Sequence, residues 1–220
     1  MATIIFDLDG TLADTSGDLI AAANHCFEAR ALDVRLDPIE DALIAFHGGR
    51  AMLRAGFERA FGAVDEAEVD ADYFRLIDYY GAHIDRFTSL YPGVEDALGR
   101  LSEAGHLLGV CTNKPEALAQ SLLTRLGIRD RFRALLGADT LPVRKPDPEH
   151  LWQTIDCCGG QRDQAVLIGD TMTDRGAARN ANVPCVLVTF GPEGDRVREM
   201  EPEGLLSHYD NIEAVLARLL

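Results

Sequence analysis

Phe6-Asp7-Leu8-Asp9-Gly10-Thr11-Leu12 is the stretch that decides the fold of this chain. It continues the apolar run Ile4-Ile5-Phe6, which is typical of a buried parallel strand. Ligands of open α/β sheets bind just beyond the carboxyl ends of such strands. Two carboxylates as close as Asp7 and Asp9 repel each other unless a cation or a proton separates them. The stretch therefore predicts either a chemically active strand end or an ordinary turn, where Asp and Gly are common.

The composition is that of a globular protein with an acidic surface. Of 220 residues, 47% are hydrophobic and 26% are charged, which favours a folded core over disorder. Lys and Arg number 21 against 36 Asp and Glu, a net charge of −15. Such a surface predicts no binding to nucleic acid or to anionic membranes. An anionic substrate would need local cations at its site.

The cysteines and the first residues indicate a compartment. The five cysteines are odd in number and show no CxxC spacing, which predicts free thiols in a reducing environment. The chain runs from Met1 straight into a predicted strand, and no apolar run reaches membrane length. We therefore expect a cytoplasmic protein. A monomer or a homodimer is expected.

Two different patterns divide the chain. From residue 14 to about 87, apolar residues recur at helical spacing with no convincing strand. The flexible, basic stretch His47-Gly48-Gly49-Arg50 interrupts these helices. We predict an all-α domain over 14–87, inserted between 1–13 and 88–220.

After about residue 88, predicted strands and helices alternate, which indicates βαβ units and a parallel sheet. The predicted strands end at Cys111, Leu136, Ile168 and Val188. The segment 190–209 is rich in Gly, Pro and charge, so we predict a loop there. Residues 212–220 are predicted to form a closing helix.

Four polar elements lie in this second pattern or at its first strand. They are Asp7-x-Asp9-Gly10-Thr11, Thr112-Asn113, Lys145-Pro146-Asp147-Pro148 and Gly169-Asp170-Thr171-Met172-Thr173-Asp174. Because the carboxyl ends of parallel strands share one edge of a sheet, we expect these side chains to converge. Taken singly, each has an ordinary explanation as a surface lysine, a capping threonine or a helix-start acid. Their combination favours a functional site.

The converging acids suit phosphoryl transfer. Asp7, Asp9 and Asp170 offer the oxygen ligands that Mg²⁺ prefers. Asp7, held deprotonated, can attack phosphorus and form an aspartyl-phosphate. Asp9 can protonate the leaving oxygen and later deprotonate the attacking water.

The remaining elements suit the phosphate itself. Thr112 and Lys145 are predicted to hold its equatorial oxygens as charge spreads over them. The backbone N–H groups of Gly10-Thr11 and of Asn113 are predicted to add a small anion nest.

With these motifs the chain resembles the haloacid dehalogenase superfamily of phosphohydrolases. The motifs are FDLDGTL at 6–12, Thr112, Lys145 and GDTMTD at 169–174. The resemblance covers nearly the whole chain and implies a Rossmann-like α/β/α core, with the first strand central and an α-helical cap inserted after it. True dehalogenases lack an acid at the place of Asp9. The stretches Thr112–Ala117 and Tyr91–Val94 look like the phosphoglycolate phosphatase branch.

The resemblance also implies roles for the acids. Asp7 would be the nucleophile and Asp9 the general acid and base. Mg²⁺ would be bound by the Asp7 side chain, the Asp9 backbone carbonyl and Asp170, while Asp174 would support the metal site without binding the ion.

The expected substrate is a small anionic phosphorylated metabolite, with 2-phosphoglycolate first. Family members differ in substrate through the cap loop that faces the site, here residues 47–50, and Arg50 is predicted to bind the substrate carboxylate. Alternatives are pyrophosphate, a nucleoside monophosphate or a sugar phosphate. Two further alternatives are a phosphomutase and a signalling domain that uses a phosphoaspartate as a stable signal.

Overall fold

The computed structural model describes residues 1–220. Its strands are β1 (Thr3–Phe6), β2 (Ala13–Asp14), β3 (Ser89–Leu90), β4 (Leu107–Cys111), β5 (Ala134–Leu136), β6 (Ala165–Gly169), β7 (Cys185–Val188) and β8 (Gly204–Leu206). Six of them form one sheet in the order β5-β4-β1-β6-β7-β8, and all neighbouring strands in it run parallel. The loops that follow these strands therefore emerge at one edge.

Strand β1 lies inside this sheet and pairs with strands that follow it much later in the chain. Thr3 stands opposite Leu107 of β4 on one side and Ala165 of β6 on the other. All four residues of β1 are buried, as expected for a parallel strand with both faces covered. The predicted parallel sheet with the first strand in its interior is confirmed.

The helices are α1 (Ser16–Ala29), α2 (Ala42–Phe46), α3 (Gly49–Phe61), α4 (Glu66–Ala82), α5 (Val94–Glu103), α6 (Glu116–Arg125), α7 (Pro148–Cys157), α8 (Met172–Ala181) and α9 (Ile212–Leu216). Helices α7 and α8 cover one face of the sheet, where Ile5 and Leu167 share a core with Leu151 and Ala177. Ile4 and Phe6 point to the opposite face because side chains alternate along a strand. No helix combines the length and the apolar character that a membrane span requires.

The chain forms two compact units, one of residues 1–14 with 90–220 and one of residues 15–89. The second unit contains helices α1 to α4, around a core that includes Phe27, Phe57 and Leu76. In it, the buried carboxylate of Asp18 accepts hydrogen bonds from Phe87 N at 3.0 Å, Thr88 N at 2.9 Å and the Thr88 hydroxyl at 2.8 Å. The start of α1 is thereby tied to the end of this unit.

Two predictions about local structure are wrong. The segment 190–209, predicted as a loop, contains a 3₁₀ helix at Gly194–Met200 and the edge strand β8. Strand β8 has only three residues, too few for an alternation of apolar and polar side chains to show in the sequence. It is held in the sheet by its pairing with β7. The interruption predicted at 47–50 is also shorter than expected, because α3 already begins at Gly49 and includes Arg50.

Candidate active site

The turn after β1 brings its first acid to the sheet edge. The Asp7 N–H donates to the Ile168 carbonyl at 2.8 Å, which continues the pairing of β1 with β6. Gly10 has a φ of +81°, and a Cβ at this position would lie 2.3 Å from Asp170 Oδ2. Only glycine permits both this conformation and this close approach.

The predicted anion nest at Gly10-Thr11 is wrong. The Gly10 N–H donates to the Ala13 carbonyl at 2.9 Å, and the Thr11 N–H points to the Leu8 carbonyl at 3.4 Å. The turn closes on itself, so these N–H groups are used before any ligand arrives. The Thr11 hydroxyl instead donates to Asp170 Oδ1 at 2.8 Å.

The acids after β6 are fixed by the start of α8. The Thr171 side chain caps this helix in a reciprocal arrangement with Asp174. Asp174 Oδ2 accepts from the Thr171 hydroxyl at 2.6 Å and from the Thr171 N–H at 3.1 Å. Both Asp170 and Asp174 are fully buried. The cap thus fixes one carboxylate oxygen of Asp174, and the other oxygen can pair with a positively charged side chain.

The positively charged side chain is that of Lys145. Its Nζ lies 2.6 Å from Asp174 Oδ1 and 3.0 Å from Asp7 Oδ1, with the side chain almost fully buried. Burial alone would lower the pKa of Lys145, but the carboxylates of Asp174 and Asp7 raise it above its ordinary value. The ammonium therefore stays charged and joins the end of β1 to the start of α8.

Asp7, Asp170 and Asp174 form one acidic cluster. A ligand oxygen from each lies within 4.8 Å of the others. Burial raises the pKa of Asp7 to about 6 and that of Asp170 well above its ordinary value, and the charge of Asp174 adds to both shifts. Asp170 Oδ2 is buried and accepts no hydrogen bond, whereas the buried Asp7 Oδ1 pairs with the Lys145 ammonium. The unpartnered oxygen of Asp170 and the carboxylate of Asp7 beside it fit a hard divalent cation.

Thr112 and Asn113 follow β4 at the same edge. The Thr112 N–H donates to Leu136 at 3.0 Å, and its hydroxyl accepts from the Lys114 N–H at 3.1 Å. The Asn113 side-chain amide donates to the Lys145 carbonyl at 3.0 Å. The Asn113 side chain therefore holds the loop that carries Lys145, and its proposed phosphate contact rests on its backbone N–H.

Sequence reasoning missed two contacts. Lys114 Nζ lies 2.7 Å from Asp9 Oδ1 and 3.0 Å from Asp9 Oδ2. The buried Tyr209 hydroxyl donates to the Thr11 carbonyl at 2.9 Å, so the chain supports its first turn with a residue near its end. One signal for Lys114 was present: the sequence contains only two lysines, Lys114 and Lys145.

Arg50 belongs to the helical unit of residues 15–89. Its Nε lies 3.0 Å from Asp70 Oδ1, and its guanidinium carbon lies 3.8 Å from the centre of the Tyr73 ring. Its side chain is 40% exposed. To bind a substrate carboxylate, Arg50 would have to exchange or share its contact with Asp70.

His150 supports the lysine loop from within the core. Its Nδ1 accepts the Lys145 N–H at 3.2 Å. Burial, together with the positive charge of Lys145, lowers its pKa from 6.5 to about 4. The folded state therefore binds this proton more weakly than the unfolded state, and the resulting stability is lost as pH falls from about 6.5 towards 4.

We expect the melting temperature to fall more between pH 7 and pH 4.5 in the wild type than in a His150→Asn variant. Asparagine retains an acceptor for the Lys145 N–H but cannot be protonated. Thermal unfolding at both pH values measures the difference. Parallel slopes for the two proteins would show that His150 does not titrate in this range.

The family model described as haloacid dehalogenase-like hydrolase matches residues 4–188. This chain belongs to that family. A curated phosphoglycolate phosphatase of Mesorhizobium japonicum is 40% identical over 217 residues, covering 99% of this chain and 95% of the relative. One of Caulobacter vibrioides is 42% identical over 191 residues, covering 86% and 80%.

Solved structures show the same fold. A structure described as a predicted phosphoglycolate phosphatase from Haemophilus somnus superposes with a TM-score of 0.84 at 26% identity, covering 98% of this chain and 97% of the other. CbbY from Rhodobacter sphaeroides, solved in complex with phosphate, superposes with a TM-score of 0.78 at 22% identity, covering 99% and 100%. The second likeness concerns the fold alone.

Proposed function

We propose that this protein is a magnesium-dependent phosphomonoesterase that hydrolyses 2-phosphoglycolate through a phosphorylated Asp7. The observation that carries the proposal is the buried arrangement of Asp7, Lys145, Asp170 and Asp174 at the carboxyl edge of the sheet. The choice of substrate is supported by the relatives named as phosphoglycolate phosphatases.

In this proposal Asp7 attacks phosphorus. The Lys145 ammonium lies 3.0 Å from Asp7 Oδ1, which fixes the carboxylate and favours its ionised, nucleophilic form. Mg²⁺ would be held by the carboxylates of Asp7 and Asp170 and the backbone carbonyl of Asp9, and when bound it supplies positive charge that neutralises the phosphate. Asp174 supports the site through Lys145.

The other residues act on the phosphate and on the leaving group. Lys145, the Thr112 hydroxyl and the Asn113 backbone N–H would hold the equatorial oxygens as charge moves onto them. Asp9 gives its proton to the leaving oxygen, and its carboxylate then takes a proton from the water that hydrolyses the phosphorylated Asp7.

A phosphate-release assay with a panel of esters, with and without Mg²⁺, tests this function. The panel contains 2-phosphoglycolate, pyrophosphate, a nucleoside monophosphate and a sugar phosphate. We expect the highest kcat/KM with 2-phosphoglycolate. An isomerised sugar phosphate without free phosphate would indicate a mutase, and a long-lived phosphoprotein without turnover would indicate a signalling domain.

The role of Asp9 predicts a dependence on the leaving group. Asp9→Asn should lower turnover of alkyl esters by about 10²- to 10⁴-fold, since it removes the proton donor. The loss should be smallest with p-nitrophenyl phosphate, whose leaving group needs no proton. Steady-state rates with both ester types measure this. Equal losses would mean that Asp9 serves only the metal.

The proposed role of Arg50 predicts a dependence on the substrate carboxylate. A charge-assisted hydrogen bond is worth roughly 1.5–3 kcal/mol, or about 10- to 150-fold in kcat/KM, so Arg50→Ala should lower 2-phosphoglycolate hydrolysis by that factor. The loss with p-nitrophenyl phosphate should stay within about threefold, since that ester has no carboxylate to bind.

Arg54→Ala is the matched control for Arg50. Arg54 lies in the same helix and makes a comparable ion pair, with Glu66 at 2.7 Å. Its removal should affect both esters alike and only slightly. If Arg50→Ala behaves in the same way as Arg54→Ala, Arg50 does not bind the carboxylate.

A further inference from the structure

The use of lysine in this chain is unusually selective. Nineteen of the 21 basic residues are arginines, and only Lys114 and Lys145 are lysines. Both lysines are buried, and each forms an ion pair with one of the two acids of the first motif, Asp9 or Asp7. Lysine and arginine are not interchangeable, because an ammonium is a compact charge with three donors whereas a guanidinium is a planar fork. Lys114 is therefore expected to have a specific role beside Asp9.

The position of Lys114 is fixed by its backbone. Its N–H donates to the Thr112 hydroxyl at 3.1 Å, and its carbonyl accepts from the Ala138 N–H at 2.9 Å. Its side chain is 3% exposed, whereas that of Asp9 is 19% exposed. Lys114 is thus the rigid partner of the pair, and the carboxylate of Asp9 is the part that meets solvent.

The ammonium of Lys114 contacts both oxygens of that carboxylate, at 2.7 and 3.0 Å. A carboxylate that is held through both oxygens cannot rotate freely about its bond to the side chain. The oxygen of Asp9 that exchanges a proton therefore keeps a fixed orientation. General acid catalysis depends on such alignment, because the donor must lie within hydrogen-bond reach of the oxygen that it protonates.

We propose that Lys114 is a positioning residue, which holds the Asp9 carboxyl in the orientation from which it exchanges a proton with the leaving oxygen. The inference rests on the proposed function. In the first step a bond forms between Asp7 and phosphorus, the bond from phosphorus to the leaving oxygen breaks, and the Asp9 proton moves to that oxygen. In the second step water gives a proton to Asp9 and its oxygen to phosphorus, which releases phosphate and Asp7. Lys114 keeps all its protons throughout.

Three esters separate this role from others. 2-Phosphoglycolate and 2-hydroxyethyl phosphate both have alkyl leaving groups, but only the first has a carboxylate; p-nitrophenyl phosphate has a leaving group that needs no proton. Lys114→Gln should lower kcat for both alkyl esters by about 10- to 100-fold, less than the roughly 10²- to 10⁴-fold that general acid catalysis contributes, because Asp9 itself is retained. The loss with p-nitrophenyl phosphate should be at least tenfold smaller, and KM should change less than kcat.

Further variants sharpen the test. Lys114→Arg should recover part of the alkyl-ester rate, since a guanidinium can also hold a carboxylate. In the Asp9→Asn background, Lys114→Gln should add little further loss, because residues that act through one another are not additive. Arg133→Gln, which removes one exposed positive charge from the same unit, is the control for net charge.

A readout independent of turnover keeps the proposal testable if Lys114→Gln folds poorly. Protein labelled with ¹³C at the lysine Cε should give two side-chain resonances, one for each lysine. Asp9→Asn should shift the Lys114 resonance much more than the Lys145 resonance. No shift would overturn the contact on which the proposal depends.

The rates with the three esters also distinguish the proposed role of Lys114 from its alternatives. Equal losses with all three esters would overturn the proposal in favour of a structural role. A loss confined to 2-phosphoglycolate would overturn it in favour of carboxylate binding by Lys114. A wild-type protein that hydrolyses no ester would remove the proposed function as well, whereas an active wild type with an unselective Lys114→Gln variant would remove only the role of Lys114.

Discussion

Replacing Asp7 by asparagine is expected to lower turnover by roughly 10⁴-fold or more, as loss of a covalent nucleophile does in other enzymes. Asn cannot form the acyl-phosphate, yet it has the same volume. It also removes a negative charge from the cluster with Asp170 and Asp174, where burial already raises the pKa of Asp7 to about 6. The variant should therefore fold, with Lys145 still paired to Asp174 at 2.6 Å.

The measurement is phosphate release by the variant, with circular dichroism to confirm the fold. Asp163→Asn, at an exposed position of the same unit, is the matched control and should keep the wild-type rate. Beryllofluoride, which mimics a phosphoryl group on a carboxylate, should raise the melting temperature of the wild type but not of Asp7→Asn. A variant that releases phosphate at close to the wild-type rate would rule out Asp7 as the nucleophile.

Removal of divalent cations is expected to abolish activity, and excess Mg²⁺ should restore it. Three carboxylates have ligand oxygens within 4.8 Å of one another, and the single charge of Lys145 between Asp7 and Asp174 does not offset all three, so a divalent cation should bind there. Ca²⁺ should bind but inhibit, because it accepts more ligands at longer distances and so misplaces the nucleophile. Full activity in the presence of a chelator would contradict the proposed cofactor.

Stability gives a second measure of the same cation. A ligand present at 100 times its Kd stabilises the folded state by about 2.7 kcal/mol, so Mg²⁺ should raise the melting temperature of chelated wild type. Asp170→Asn should abolish most of that increase, since Asp170 Oδ2 is a buried oxygen without a hydrogen-bond donor. An increase of equal size in both proteins would place the cation elsewhere.

Most of the fold could be predicted because its signals are local. Strands β1, β4 and β6 are short apolar runs, and the rule that parallel strands share a carboxyl edge is enough to bring their following residues together. Strand β8 could not be predicted, because three residues define no period and its hydrogen bonds to β7 decide its conformation. Charge and glycine in that segment indicated only a loop.

The candidate site, too, could be predicted from the sequence only in part. The acids after β1 and β6 were expected at one edge, and the structure places Asp7 and Asp170 there. The contact of Lys114 with Asp9 joins residues 105 positions apart, so no spacing rule predicts it. The anion nest at Gly10-Thr11 failed for the opposite reason: the partners of those N–H groups lie within three residues, in a turn whose closure depends on exact dihedral angles.

The late partners of β1 also determine the order in which the protein can mature during synthesis. The helical unit of residues 15–89 is one continuous segment and can complete its contacts early. Strand β1 can pair only after Leu107 and Ala165 have been synthesised. The hydrogen-bond donor of the Thr11 carbonyl, Tyr209, follows 198 residues later, which takes about 10–40 s at ordinary elongation rates. The apolar first strand therefore stays unpaired until about half of the chain has been synthesised, and over that interval its apolar side chains are available to a chaperone.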